Sequence, residues 1–169
     1  LPIYGYVGGR VVTERDRVVV VGASGFGREC LDVLEAMAAA GTKVDVLGVL
    51  DDAPSEQNLR RLQERGIPYL GSLDAWLAKP HEGVRFILGI GNPSVRRTLA
   101  GKLTAAGREP YTAIHPSATL GSRVVCGEGV VVCAGAAIST NVRLGTYIHI
   151  NPNATVGHDS ILDGFVSVN

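Results

Sequence analysis

Several features of secreted, membrane-spanning and nucleic-acid-binding proteins are missing from this sequence. Its 169 residues hold three cysteines, Cys30, Cys126 and Cys133, and no CxxC pair. An odd and scattered set supports neither a disulfide framework nor a zinc site, so no metal and a reducing cytoplasm are expected. No apolar run approaches the roughly 20 residues of a membrane span. Residues 1–17 lack the basic-then-apolar order of a signal peptide. Lys+Arg and Asp+Glu both number 16. That balance gives no general attraction to nucleic acid or an anionic membrane. Aromatic residues make up only 5%, too few for a core of bulky rings.

What the sequence does have is aliphatic residues and glycine. Apolar residues reach 46%, enough for a real core, and the 22 glycines suit tight turns. Residues 1–16 read as a flexible leader. From residue 17 strand-like and helix-like segments alternate. RVVVVG (17–22), VDVLGVLDD (44–52) and VRFILGIGN (84–92) are β-branched or aliphatic strands. Segments 28–41, 55–66, 72–79 and 94–107 have helical spacing, with Ser55 as a cap for the second. Such alternation predicts an α/β domain over 17–110, a parallel sheet covered by helices.

From residue 114 the period becomes six: IHPSAT, LGSRVV, CGEGVV, VCAGAA, ISTNVR, LGTYIH, INPNAT, VGHDSI, LDGFVS. First positions are aliphatic except for Cys126, and fifth positions are small or β-branched. A period of six fits neither helix nor flat sheet. It fits a β-solenoid of hexapeptides in which positions one and five point inward. Gly121, Gly127, Gly145 and Gly157 occupy position two, where a positive φ is expected at the corner. This all-β unit spans 111–169.

These hexads, the N-terminal VVVVGASGFG and the later HD pair together resemble the PglD-like sugar acyltransferases over residues 17–169. The resemblance implies an N-terminal Rossmann-like domain that binds a nucleotide-sugar and a C-terminal left-handed parallel β-helix. The left hand is that family's exception to the crossover rule. It also implies a homotrimer, active sites between neighbouring β-helices, and acetyl-CoA as donor. The acceptor is an amino or hydroxyl group of the sugar.

The turn GASGFG, Gly22–Gly27, joins a strand to a helix, where backbone N–H groups and the helix dipole favour a phosphate. Its spacing, G-x-x-G-x-G, is not the dinucleotide fingerprint, so a plain tight connection and an NAD site remain the competing local readings. The resemblance places Ser24, Gly25, Phe26, Asp51, Asp52 and Gly91 at substrate-contacting positions. Members often carry histidine where Phe26 stands.

Four histidines are present. His81 is expected in a surface loop, and His115, before Pro116, at the solenoid entry. His149 is expected to face outward, toward a possible trimer interface. His158, at position three and beside Asp159, matches the family's catalytic base. Asp159 would raise its basicity if the chain bends between the two, because neighbours on a regular strand face opposite ways. Asn151 is the companion polar residue on the substrate side. Ser167 stands nine residues after His158, where members often have a second histidine that touches the acetyl donor. Cys126 faces inward and Cys133 has no base nearby, so transfer is expected to be direct, without an acyl-enzyme. A non-catalytic nucleotide-sugar-binding trimer is the alternative. The repeat stops a third of the way into a hexad, at Val168–Asn169. A fragment lacking further coils of the coenzyme A groove, and so weakly active at best, is therefore expected.

Overall fold

The computed structural model describes residues 15–169, so nearly all of the expected leader lies outside the described residues. Asp16 already belongs to the first strand. The N-terminal half runs β1 (Asp16–Val21), α1 (Gly25–Ala39), β2 (Val44–Leu50), α2 (Glu56–Glu64), α3 (Leu73–Leu77), β3 (Val84–Leu88) and α4 (Pro93–Ala105). The three strands form a parallel sheet in the order β2-β1-β3. Val18, Val19 and Val20 are fully buried, as the unbroken apolar run of a sheet covered on both faces requires. The hydroxyls of Ser55 and Ser72 and the amide oxygen of Asn92 accept first-turn N–H groups of α2, α3 and α4. Helix α1 begins three residues earlier than its apolar spacing predicts, inside the glycine turn itself. Glycine is needed there because backbone meets backbone. A Cβ on Gly27 would lie 1.8 Å from the Gly22 carbonyl oxygen, and one on Gly89 would lie 2.5 Å from the Gly27 Cα.

Two-residue strands then recur every six residues, from Ala113–Ile114 to Ser167–Val168. Each pairs in parallel with the strand 18 residues away, as Val131 and Ser167 do with His149. Three hexads therefore make one coil of a parallel β-helix with three flat faces. The first face contains Ala113–Ile114, Val131–Val132, His149–Ile150 and Ser167–Val168. The second contains Thr119–Leu120, Ala137–Ile138 and Thr155–Val156. The third contains Val125–Cys126, Arg143–Leu144 and Ile161–Leu162. Positions one and five fill the core as expected: Val130, Val132, Ile148 and Ile150 are fully buried.

The corners differ from the sequence expectation. Left-handed residues sit at position four rather than two: Arg123, Asn141, Tyr147, Asn153, Asp159 and Phe165 have φ from 56° to 69°, as do Gly129 and Gly135 at 68° and 69°. The N–H at this position donates to the carbonyl of position three one coil earlier, as Asn141 does to Ser122 at 3.0 Å and Asp159 to Thr140 at 3.1 Å. Three of the four glycines at position two act instead as spacers. A Cβ on Gly121, Gly127 or Gly145 would come within 2.6–2.7 Å of the backbone of the next coil.

The two halves share their cores. Cys30, Leu31 and Leu34 of α1 pack with Ala113, Val131 and Cys133 of the first face. The corner rings Tyr147 and Phe165 stack at 5.1 Å and join Phe86 and Leu73. Between these contacts lies Arg96 of α4, fully buried and with no carboxylate among its hydrogen-bond partners. Its Nη1 donates to the carbonyls of Ile90 at 2.8 Å and Gly91 at 3.3 Å. Its Nη2 reaches the carbonyls of Phe165 at 2.5 Å and Val166 at 3.3 Å, and Ser167 Oγ at 3.0 Å. Burial lowers the pKa of the guanidinium.

Arg96 Nη1 also lies 2.9 Å from His149 Nδ1. A guanidinium can only donate, so Nδ1 accepts and the ring proton resides on Nε2. His149 does face out of the coil, but not toward solvent. It is 1% exposed and stacks on Phe26, with ring centroids 4.0 Å apart. The first face is covered by the chain's own N-terminal half, which is why the outward register led to a buried ring. Burial, and then the charge of Arg96, pull the His149 pKa down to about 3, against an opposing effect of the Leu88 carbonyl. That carbonyl does not reach hydrogen-bond geometry with Nε2, which has no hydrogen-bond partner among the described residues.

Two outcomes follow. Gly27→Ala is expected to destabilise the fold by about 3 kcal/mol or more, whereas Gly25→Ala, which points into open space, changes it by less than about 1 kcal/mol. Chemical denaturation of both variants measures the contrast. The second outcome concerns pH. His149 stays neutral in the folded chain, while an unfolded histidine takes up a proton below about pH 6.5. Its contribution is therefore fully present above that pH and is lost as pH falls toward 3, by up to about 1.4 kcal/mol per unit. Urea midpoints between about pH 6.5 and pH 4 should fall less steeply in His149→Gln, which keeps an acceptor for Arg96.

Candidate active site

Two places hold the candidate residues. The first is the C-terminal edge of the sheet, where β1 and β3 lie side by side and their crossovers leave in opposite directions. Open α/β sheets bind ligands at such a switch point. Asp51, at the end of β2, holds the glycine turn there: Oδ2 accepts the Ala23 N–H at 2.8 Å and Oδ1 accepts that of Ala53 at 3.0 Å. Arg28 Nη1 donates to the Ala23 carbonyl at 3.0 Å and to Asn58 Oδ1 at 2.7 Å, which ties the turn to α2. Ser24 is the N-cap of α1 but its side chain makes no cap hydrogen bond, and both Ser24 and Gly25 are exposed. Gly91 is exposed at the same edge, with its carbonyl held by Arg96.

The sheet edge therefore brings Ser24, Gly25, Asp51 and Gly91 together. Asp52 differs, because its Oδ1 accepts the Leu73 N–H at 2.8 Å and ties down the start of α3. Phe26 is half-buried, with one ring face against His149.

The second place is the corner between the second and third faces. His158 and Asp159 are its two turn residues. Asp159 has φ 59°, and this left-handed bend turns its side chain back onto its neighbour. His158 Nδ1 lies 2.6 Å from Asp159 Oδ2. Both side chains are exposed, at 75% and 66%. Asn141, one coil earlier, donates from Nδ2 to Asp159 Oδ1 at 3.2 Å. The His158 bond first, and the Asn141 bond second, hold the Asp159 carboxyl below its ordinary pKa. Below them Ser122 Oγ and Thr140 Oγ1 meet at 2.8 Å, so the corner forms a polar column.

Asn151 and Ser167 lie elsewhere. Asn151 hydrogen-bonds Asn169, and Ser167 bonds Arg96 at the junction. Among the described residues no hydrogen bond joins either to His158. In a three-faced coil, the seven-residue step from Asn151 to His158 spans one whole face. The first face is covered by the N-terminal half, and the His158 corner is the vertex opposite it. One chain therefore displays its turn and its histidine on opposite sides of the prism.

The other histidines are structural. His115 Nδ1 accepts the Ser117 N–H at 3.0 Å, and His81 stacks on Trp76 at 4.2 Å rather than standing free in its loop. Burial pushes the Cys126 thiol to about 11 and the Cys133 thiol to about 12. Among the described residues no His, Cys, Asp and Glu side chains converge as a metal site, and no helix is long and apolar enough to cross a membrane. Two residues that these contacts bring out escape sequence reasoning: Asn141 and Arg96. Subtracting one coil of 18 residues from Asp159 finds Asn141. Nothing in the sequence marks Arg96.

The family model for the PglD N-terminal domain matches residues 17–103. A GDP-perosamine N-acetyltransferase of Escherichia coli is 26% identical over 149 residues, covering 88% of this chain and 65% of the relative. The chain thus spans just under two thirds of that curated relative. The acetyltransferase domain of PglB from Neisseria gonorrhoeae superposes with a TM-score of 0.74 at 30% identity, covering 90% of this chain and 70% of that one. PerB from Caulobacter crescentus, solved with CoA and GDP-perosamine, gives 0.73 at 31% identity, with 89% and 67% covered. The family model covers more than half of the chain and the superpositions extend over most of it: the chain belongs to the PglD-like family of sugar acyltransferases.

Proposed function

We propose that the protein transfers an acetyl group from acetyl-CoA to the amino group of a nucleotide-linked amino sugar, with His158 as general base. The observation that carries this reading is the 2.6 Å bond from His158 Nδ1 to Asp159 Oδ2 on a rigid, exposed corner. With Nδ1 as donor, Nε2 keeps its lone pair and faces solvent. As the neutral amine attacks the thioester carbonyl, a C–N bond forms. Nε2 takes the amine proton, the C–S bond breaks, and the proton passes to the departing thiolate. Asp159 stabilises the imidazolium between these steps. The protonated thiols of half-buried Cys126 and buried Cys133 favour direct transfer over an acyl-enzyme. An amine is preferred over a hydroxyl as acceptor because the Escherichia coli relative is a GDP-perosamine N-acetyltransferase.

In this reading residues 17–110 form a Rossmann-like domain and 111–169 a left-handed β-helix. Ser24, Gly25, Phe26, Asp51, Asp52 and Gly91 hold the nucleotide-sugar at the switch point. Asn151 and Ser167 assist at substrate and acetyl donor. The opposed placement of turn and histidine supports a homotrimer, in which His158 of one chain meets the sugar held by another. The free thiols fit the cytoplasm.

His158→Ala in the full-length protein is expected to lower kcat by about 10²–10⁴-fold while nucleotide-sugar affinity stays within about twofold. Retained turnover in a coupled thiol-release assay would remove His158 from the mechanism.

A further inference from the structure

We propose that Asn141 is a positioning residue that fixes the tautomer of His158 through Asp159. This rests on the reading of His158 as the general base. Four observations on this corner carry it. Asn141 donates to Asp159 Oδ1 while Oδ2 faces His158 Nδ1, so the two carboxylate oxygens are divided between a fixed donor and the imidazole. Asn141 is itself fixed, because it occupies the left-handed position with φ 58° and its N–H donates to the Ser122 carbonyl. The Asp159 N–H is fixed to the Thr140 carbonyl in the same way. The side chains of His158 and Asp159 are well exposed, so no packing wall holds the carboxylate in its rotamer.

On an exposed turn an aspartate side chain rotates freely unless something holds it. Imidazole in water prefers its proton on Nε2, and that form has no lone pair directed at the acceptor. A carboxylate kept against Nδ1 reverses the preference and leaves Nε2 as the base. Asn141 is the one side chain, among the described residues, that hydrogen-bonds Asp159 besides His158. The bond crosses between coils, so the base on one coil is oriented by the coil before it.

Glycine is the right probe. Position four demands a left-handed conformation, and Gly129 and Gly135 already fill it on other coils. Alanine would mix lost hydrogen bonding with backbone strain. Nitrogen-15 NMR of the histidine rings is expected to show His158 in the Nδ1–H form in the unaltered protein. In Asn141→Gly it is expected to shift toward the Nε2–H form, with His115 unchanged as an internal control. With both substrates, kcat should fall about tenfold while both KM values stay within about twofold. If Asn141 acts only through Asp159, the Asn141→Gly change should add no further loss to an Asp159→Gly variant.

An unchanged His158 tautomer in Asn141→Gly overturns the inference, as does full additivity of the two substitutions. If the unaltered protein turns over neither substrate, the proposed function falls while the tautomer measurement still decides the role of Asn141.

Discussion

The arrangement of the two halves depends on one buried cation. Arg96 is enclosed by carbonyls, a hydroxyl and an imidazole rather than by an acid. Carbonyl dipoles from the loop after β3 and from the last corner of the β-helix replace the water it loses. Those dipoles come from chain segments 75 residues apart, Ile90–Gly91 and Phe165–Val166, and the guanidinium fork is satisfied only when both are in place. A buried charge that loses part of such a shell costs about 3–5 kcal/mol. The angle between sheet and coils is therefore fixed by a requirement on a few polar atoms, more than by apolar contact, which tolerates sliding. His149 and Phe26 extend this fixed point to the glycine turn.

The prism imposes a second constraint. A three-faced coil has one vertex opposite any face. Once the first face is given to the N-terminal half, the opposite corner is the part of the coil furthest from that half. The hydrogen-bonded pair of His158 and Asp159 occupies that corner. The aromatic pair Tyr147 and Phe165 occupies a corner next to the covered face, where rings can be buried. The three corners thus differ in composition because they differ in what lies against them.

Much of this was legible in the sequence. The period of six gave away the coils, since inward slots recur whatever the side chains outside do. The strand–helix alternation gave the parallel sheet, and Ser55 marked the start of α2. The HD pair was legible because a histidine between inward slots must be displayed. The corner conformation was not, because glycine at position two and left-handed φ at position four both place small or polar residues near a bend. His149 was misplaced because hexad register distinguishes inside from outside within the coil, not a covered outside from a free one. Arg96 and Asn141 were missed for a related reason. Their partners are separated by 53 to 71 residues in one case and by a full coil in the other, distances at which a local pattern carries no signal.

The left-handed corner also acts as a filter on chemistry. Among side chains with acid or amide groups, aspartate and asparagine enter that region of backbone space most readily, because their short polar groups bond locally. A histidine displayed at position three is followed by the filtered position. Its neighbours, in sequence and one coil below, are thus drawn from a short menu in which a carboxylate or an amide is the common polar choice. A solenoid of this kind supplies an exposed imidazole with an acid partner, and that acid with a donor, as a by-product of turning its corners. The hydrogen-bonded pair at His158 needed only the histidine to arrive.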